Sequence, residues 1–188
     1  MLAAPTAGGR PAFEAVAAAD VVSDVVSRLP PERRCRVRLD LAGEGMILGD
    51  EGLLGSLVSN AIENALKFSD GPVEVILEET RTTSRFGPGS DSDRGPRVTI
   101  DFCDRGVGIE PDLRARVFEP FYRARADATP GHGLGLSLVD HIARAHGGRA
   151  AFVETDAGTR LRVELPGWGS RFSLGSPVGG DPATPRDE

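Results

Sequence analysis

NAIENALKFS, residues 60–69, contains the only two asparagines of the chain, Asn60 and Asn64, and its only lysine, Lys67. Glutamine is absent, and all other Lys/Arg charge is arginine. On a helix, positions 60, 64 and 67 follow the i, i+4, i+7 spacing and share one face. That face presents two amide oxygens and one compact ammonium. A hydrated divalent ion carrying phosphates suits such a face, because the ion takes oxygen ligands and phosphates take a point charge. A solvated helix face in a chain of skewed composition has the same pattern, so the stretch alone leaves both readings open.

Working outward, Asp50 is expected to cap this helix, which runs to about Ser69 and stops before Gly71-Pro72. Its apolar stripe is Leu54, Val58, Ala61, Ile62, Ala65 and Leu66, roughly opposite the Asn/Lys face, with Leu53 falling on the polar side. Upstream, Asp20 is expected to cap a short helix carrying Val21, Val22, Val25, Val26 and Leu29, ended by Pro30-Pro31. CRVRLDL (35–41) alternates as a half-buried strand does. Downstream, VEVILEE (73–79) and RVTIDFC (97–103) are strand-like and are joined by a long loop without apolar periodicity. An irregular region follows to about residue 132. Then GLGLSLVDHIARAH (133–146) predicts a helix stopped by Gly147-Gly148, and RAAFVE and TRLRVELP predict a final antiparallel pair. Together these elements predict a two-layer α/β sandwich: a mixed, largely antiparallel sheet covered by helices on one face.

Two glycine-rich stretches flank the irregular region. DRGVGI (104–109) follows directly on a strand, so its glycines admit close backbone approach and Asp104 can accept from an exocyclic amine. In isolation it equally describes a strand-to-loop turn. GHGLGL (131–136) opens a helix, where free backbone N–H groups make an anion site. It lacks the lysine of a P-loop and the spacing of a dinucleotide fingerprint.

The order of the motifs is the strongest signal. NxxxN on a helix, DxGxG after a strand, FEPFYR (118–123), GxGLGL, then Gly158-Thr159 before a terminal strand resembles the ATP-binding catalytic domain of bacterial sensor histidine kinases. The resemblance covers about residues 20–166 and implies the family's Bergerat ATP-binding fold. It implies ATP and Mg²⁺ as cofactors. Asn64 would be the metal ligand, Asn60 would help place ion and phosphates, and Lys67 would neutralise phosphate charge. Asp104 would select adenine, supported by Gly106, Gly108, Ile109 and Thr159. Gly131, Gly133, Leu134, Gly135 and Leu136 would meet the phosphates. Residues 110–132 would form a lid anchored by packing of Phe118, Phe121 and Tyr122, with Arg123 reaching the γ-phosphate. Catalytic roles thus fall on Asn60, Lys67 and Arg123. His132 departs from the threonine or serine usual in the family and is expected to face solvent. His141 and His146 are expected at the surface or helix end.

The resemblance also narrows the reaction. Related chaperone, gyrase and mismatch-repair ATPases carry a glutamate base one turn before the metal asparagine; here that position is Asn60. An amide cannot take a proton from water, so rapid ATP hydrolysis is not expected. The family donates the γ-phosphoryl group to a histidine on a dimerisation domain, and no histidine here has that context. The implied partners are therefore such a domain, in cis or in trans, and a response regulator. A non-catalytic nucleotide-binding module and an anti-sigma-type serine kinase are the alternatives.

Composition adds exclusions. A net charge of −6 without a basic block does not suggest nucleic-acid binding, and no apolar run is long enough to span a membrane. Cys35 and Cys103 lie in apolar runs without metal spacing and are expected to be small buried residues of a reducing, cytoplasmic compartment. Residues 1–18 are expected to be a linker or domain start, 19–168 the ATP-binding domain, and 169–188 a disordered tail rich in Gly, Pro, Ser and Asp.

Overall fold

The computed structural model describes residues 13–81, 95–122 and 133–169. Expectations placed on Arg123, Gly131 and His132, on most of the loop between the two long strands, on residues 1–12 and on the tail from 170 lie outside the described residues.

The chain order is β1 (Glu14–Ala17), α1 (Ala18–Ser27), α2 (Pro31–Arg34), β2 (Val37–Ala42), β3 (Met46–Gly49), α3 (Glu51–Phe68), β4 (Val73–Arg81) and β5 (Pro96–Asp104). Two 3-10 turns, Pro111–Leu113 and Arg116–Phe118, lead on to α4 (Gly135–Ala145), β6 (Arg149–Val153) and β7 (Thr159–Pro166). Five strands form one sheet in the order β2-β4-β5-β7-β6. Only β2 and β4 pair in parallel, with α3 lying in the connection between them; every other pair is antiparallel. A parallel neighbour requires a long crossover, and α3 supplies it. The expected mixed, largely antiparallel sandwich is the observed architecture.

Strand alternation puts Val73, Val75 and Leu77 of β4, Val98, Ile100 and Phe102 of β5, and Leu161, Val163 and Leu165 of β7 into one core. From the other layer α1 contributes Val21, Val22 and Val26, and α4 contributes Val139, Ile142 and Ala143. The predicted α3 stripe is buried in full, together with Leu57. Leu53, on the polar side by helical angle, is partly buried and packs against the margin of the same core. Each fully buried Val, Leu, Ile or Phe among these adds about 1.5–3 kcal/mol of burial. Replacing fully buried Ile62 by Ala would therefore cost about 2–5 kcal/mol. The Asp50 side chain caps α3 as expected, accepting from the Leu53 N–H at 2.9 Å.

Several local expectations fail for identifiable reasons. Helix α1 begins at Ala18, so Asp20 lies exposed in its first turn and caps nothing. The donors that a cap would satisfy bond instead to the turn before β3, Ala18 N–H to Gly45 O and Ala19 N–H to Glu44 O. Cys35 is exposed at the end of α2 and Cys103 is half-buried on the open face of the sheet; both are free thiols. The short sheet of β1 and β3 has no counterpart in the hydrophobic pattern. Among the described residues no helix is long and apolar enough to cross a membrane.

Candidate functional site

Antiparallel pairing of β5 with β7 sets Asp104 directly opposite Thr159. Asp104 is only 5% exposed. One carboxylate oxygen accepts the Gly106 N–H at 2.7 Å and the other accepts the Thr159 hydroxyl. Two glycines make this arrangement sterically possible. A Cβ on Gly106 would lie 2.1 Å from the Phe68 carbonyl at the end of α3. A Cβ on Gly158, where φ is +74°, would lie 1.9 Å from the Asp104 carbonyl. The DxGxG loop is thus wedged between the end of α3 and the start of β7. Gly108, also at positive φ, and half-buried Ile109 continue this loop.

Helix α3 carries the other half. Asn60 and Asn64 are half-buried and Lys67 is exposed, all on the side away from the core. The Asn60 amide donates to the Ser56 carbonyl at 2.8 Å. Its oxygen points towards the start of α4, lying 3.2 Å from where a Cβ on Gly135 would stand. Helix α4 begins without a side-chain cap at Leu134, so its first backbone N–H groups are open to an anion. Leu134 is partly exposed, whereas Leu136 turns inward against the core. The Lys67 ammonium lies 5.1 Å from the Phe68 ring centroid, at the junction of the two halves. Arg36, which the sequence reading passed over, supports that junction: its guanidinium donates to the Ser69 and Gly71 carbonyls that follow α3.

The anchoring of the 110–122 segment differs from expectation. Phe118 packs on Phe152 of β6 with ring centroids 5.5 Å apart, and the Arg116 guanidinium lies 4.6 Å over the Tyr122 ring. Phe121 does not pack; it is 73% exposed at φ +66°. Its anchor is its backbone, whose N–H donates to the Gly133 carbonyl at 2.9 Å.

On the open face of the sheet, away from α3 and α4, an aspartate and a cysteine are displaced from their ordinary values. Asp101 points to the open face of the sheet yet is 1% exposed, because Arg160 and Arg162 lie over it. Burial pushes its carboxyl up, but hydrogen bonds and charge from Arg162 and Arg160 outweigh this and hold it below the usual value. Burial raises the thiol of Cys103, with Arg160 opposing.

His146 overturns its expected surface position: it is 3% exposed and uses both ring nitrogens. The spacing of Val139, Ile142, Ala143 and His146 (i, i+3, i+4, i+7) was the available signal. His141 is exposed as expected.

Comparison with known proteins gives consistent results. The family described as histidine kinase-, DNA gyrase B- and HSP90-like ATPase matches residues 49–168. The sensor-like histidine kinase SenX3 of Mycolicibacterium smegmatis is 34% identical over 184 residues, 95% of this chain and 42% of that protein. The signal transduction histidine-protein kinase/phosphatase MprB of Mycolicibacterium vanbaalenii is 32% identical over 182 residues, 93% of this chain and 34% of that protein. The chain therefore spans less than half the length of these relatives. Among solved structures, a mycobacterial sensor histidine kinase MprB superposes with TM-score 0.64 at 28% identity, covering 82% of this chain and 97% of that one. The ATP-binding domain of PrrB from Mycobacterium tuberculosis gives TM-score 0.61 at 28% identity, again over 82% and 97%. Full-length ShkA in complex with AMPPNP gives TM-score 0.62 at 26% identity, over 85% of this chain and 32% of that one.

Proposed function

Since the chain belongs to the histidine kinase-, DNA gyrase B- and HSP90-like ATPase family, among the ATP-binding catalytic domains of sensor histidine kinases, we propose that it binds Mg-ATP between α3 and α4. It then donates the γ-phosphoryl group to a histidine on a separate dimerisation domain. The observation that carries this reading is the meeting of Asn60 with the uncapped start of α4. It brings an oxygen-donor face and an anion-binding helix terminus within the span of one triphosphate.

In this reading Asp104 accepts the adenine amine, with Gly106, Gly108, Ile109 and Thr159 framing the base. Asn64 offers an amide oxygen of the kind a hard divalent ion takes, and Asn60 orients ion and phosphates beside it. Mg²⁺, held by Asn64 with Asn60, would supply positive charge to offset that of the phosphates. Lys67 neutralises phosphate charge, and the N–H groups around Gly133, Leu134, Gly135 and Leu136 hold phosphate oxygens. Gly131 and Arg123, outside the described residues, complete the set as phosphate contacts. The acceptor imidazole forms an N–P bond as the bond to the ADP oxygen breaks, so ADP leaves with the electron pair. Asn60 cannot act as a base towards water, which directs the phosphoryl group to a stronger nucleophile. A response regulator is the onward acceptor, and the domain works on the cytoplasmic side of its sensor.

The test is incubation with γ-labelled ATP and a separately produced dimerisation domain. Acid-labile label on its histidine is expected. Tight Mg-ATP binding without transfer would make the chain a non-catalytic nucleotide module. Acid-stable label on serine would make it an anti-sigma-type kinase.

A further inference from the structure

Helix α4 runs antiparallel along the N-terminal half of α3 and touches it near both of its own ends. At one end the Asn60 amide oxygen meets Gly135. At the other, the Asp50 N–H donates to His146 Nε2 at 3.1 Å. The stretches between these points, 50 to 60 and 135 to 146, cover about 15 and about 16 Å of helix, so the two contacts fix one axial register. His146 is built into its position. Because Asp50 N–H is a fixed donor, Nε2 accepts, and Nδ1 carries the proton that goes to the Ile142 carbonyl at 2.8 Å. The ring stacks on Phe13 at 4.9 Å with planes 14° apart. It also lies so close to Gly49 that a Cβ there would stand 2.6 Å from it.

We infer that His146 is a positioning residue that sets the register of α4 along α3, and that Phe13 ties the strand entering the domain to that register. The inference rests on the reading of Asn64 and the start of α4 as the metal–phosphate site. A triphosphate there must reach oxygens on α3 and N–H groups on α4 together, so a slide of one helix along the other separates its two partners. The α4 start has no side-chain cap to hold it, which leaves the far end and the packed face to do so. Binding and catalytic geometry tolerate displacements of only about 0.5 Å.

Three variants test this. His146→Phe keeps an aromatic ring for Phe13 but loses both hydrogen bonds. His146→Gln keeps an acceptor for Asp50. Phe13→Ala removes the stack alone. The readouts are hydrogen exchange at the Asp50 amide, the melting midpoint, and the affinity for AMPPNP with Mg²⁺ and with chelator. His146→Phe is expected to lose Asp50 protection and to weaken Mg-AMPPNP binding about tenfold, below the roughly 100-fold that a 1 Å misplacement can cost a rate. Metal-free binding should change much less. His146→Gln should recover most of the loss, and Phe13→Ala should fall between. A lower melting midpoint with an unchanged ratio of metal-dependent to metal-free affinity would overturn the inference. Should His146→Phe fail to fold, the same ratio in Phe13→Ala decides it. Asn64→Ala separates the levels: if that variant also leaves the ratio unchanged, the metal–phosphate reading itself has failed and takes this inference with it.

Discussion

At the Asp104 end of the site nearly every group is already held. The carboxylate has two donors, Gly106 sits against the Phe68 carbonyl, and Gly158 sits against the Asp104 backbone. At the Asn64 end, Asn64 and Lys67 stand on the solvent side of a helix whose stability comes from its opposite, apolar face. The first end is preorganised by the fold, so damage there is paid in folding free energy before it reaches the ligand. The second is an addition to a helix that folds without it, so damage there falls on binding. The two halves of one site should therefore respond to mutation in different measurements.

The largest effect is expected for Gly158→Ala. The new Cβ would meet the Asp104 carbonyl at a position already at positive φ, and the variant should lose about 3 kcal/mol of stability in a urea melt. A stability loss below 1 kcal/mol would break the claim that the fold preorganises the Asp104 end. Asn64→Ala is the converse case. Its unfolding free energy should stay within about 0.5 kcal/mol of the parent, because the position lies outside the core. Its Mg-ATP affinity should fall on the order of 100-fold by calorimetry, while chelator brings the parent down to the variant.

Asp101→Asn serves as a reference on the opposite face of the sheet. It should cost about 2 kcal/mol at neutral pH, since the arginine hydrogen bonds to the buried carboxylate lose their charge, and it should leave nucleotide affinity unchanged. The pH dependence follows from the lowered carboxyl value. The unfolded chain binds the proton more readily, so the contribution is complete above the ordinary aspartate value of about 4 and fades as pH falls below it. Stability of parent and variant should therefore converge in acid. Thr159→Val is the smallest change. Removing the hydroxyl donor to Asp104 should lower stability by about 1 kcal/mol and reduce discrimination between ATP and GTP.

Much of this was legible in the sequence because it is carried by periodicity or by residue order. The α3 stripe, the five sheet strands and the clustering of Asn60, Asn64 and Lys67 are local patterns. The pairing of Asp104 with Thr159 is not local; it arises from the register of β5 on β7, which motif order suggested but spacing could not place. Strands β1 and β3 have four residues each and exist through pairing with one another, so no alternation announces them. Asp20 looked like a cap because the competing acceptors, the Glu44 and Gly45 carbonyls in the turn before β3, lie far along the chain. His146 was misread although its spacing with Val139 and Ile142 indicated burial. A polar residue beside a Gly-Gly stop reads as a surface end unless its partner, Asp50 far upstream, is known.

The most direct measurement uses the oddity of composition. Asn60 and Asn64 are the only primary amides in the chain, so its side-chain NH₂ signals in a ¹⁵N spectrum form two pairs. The chain would be titrated with AMPPNP, first with chelator and then with Mg²⁺. The backbone signals of Gly106, Gly108 and Thr159 are expected to move in both titrations, and the Asn64 pair only when Mg²⁺ is present. An Asn64 pair that stays in place through saturation with Mg-AMPPNP would contradict the assignment of Asn64 to the metal.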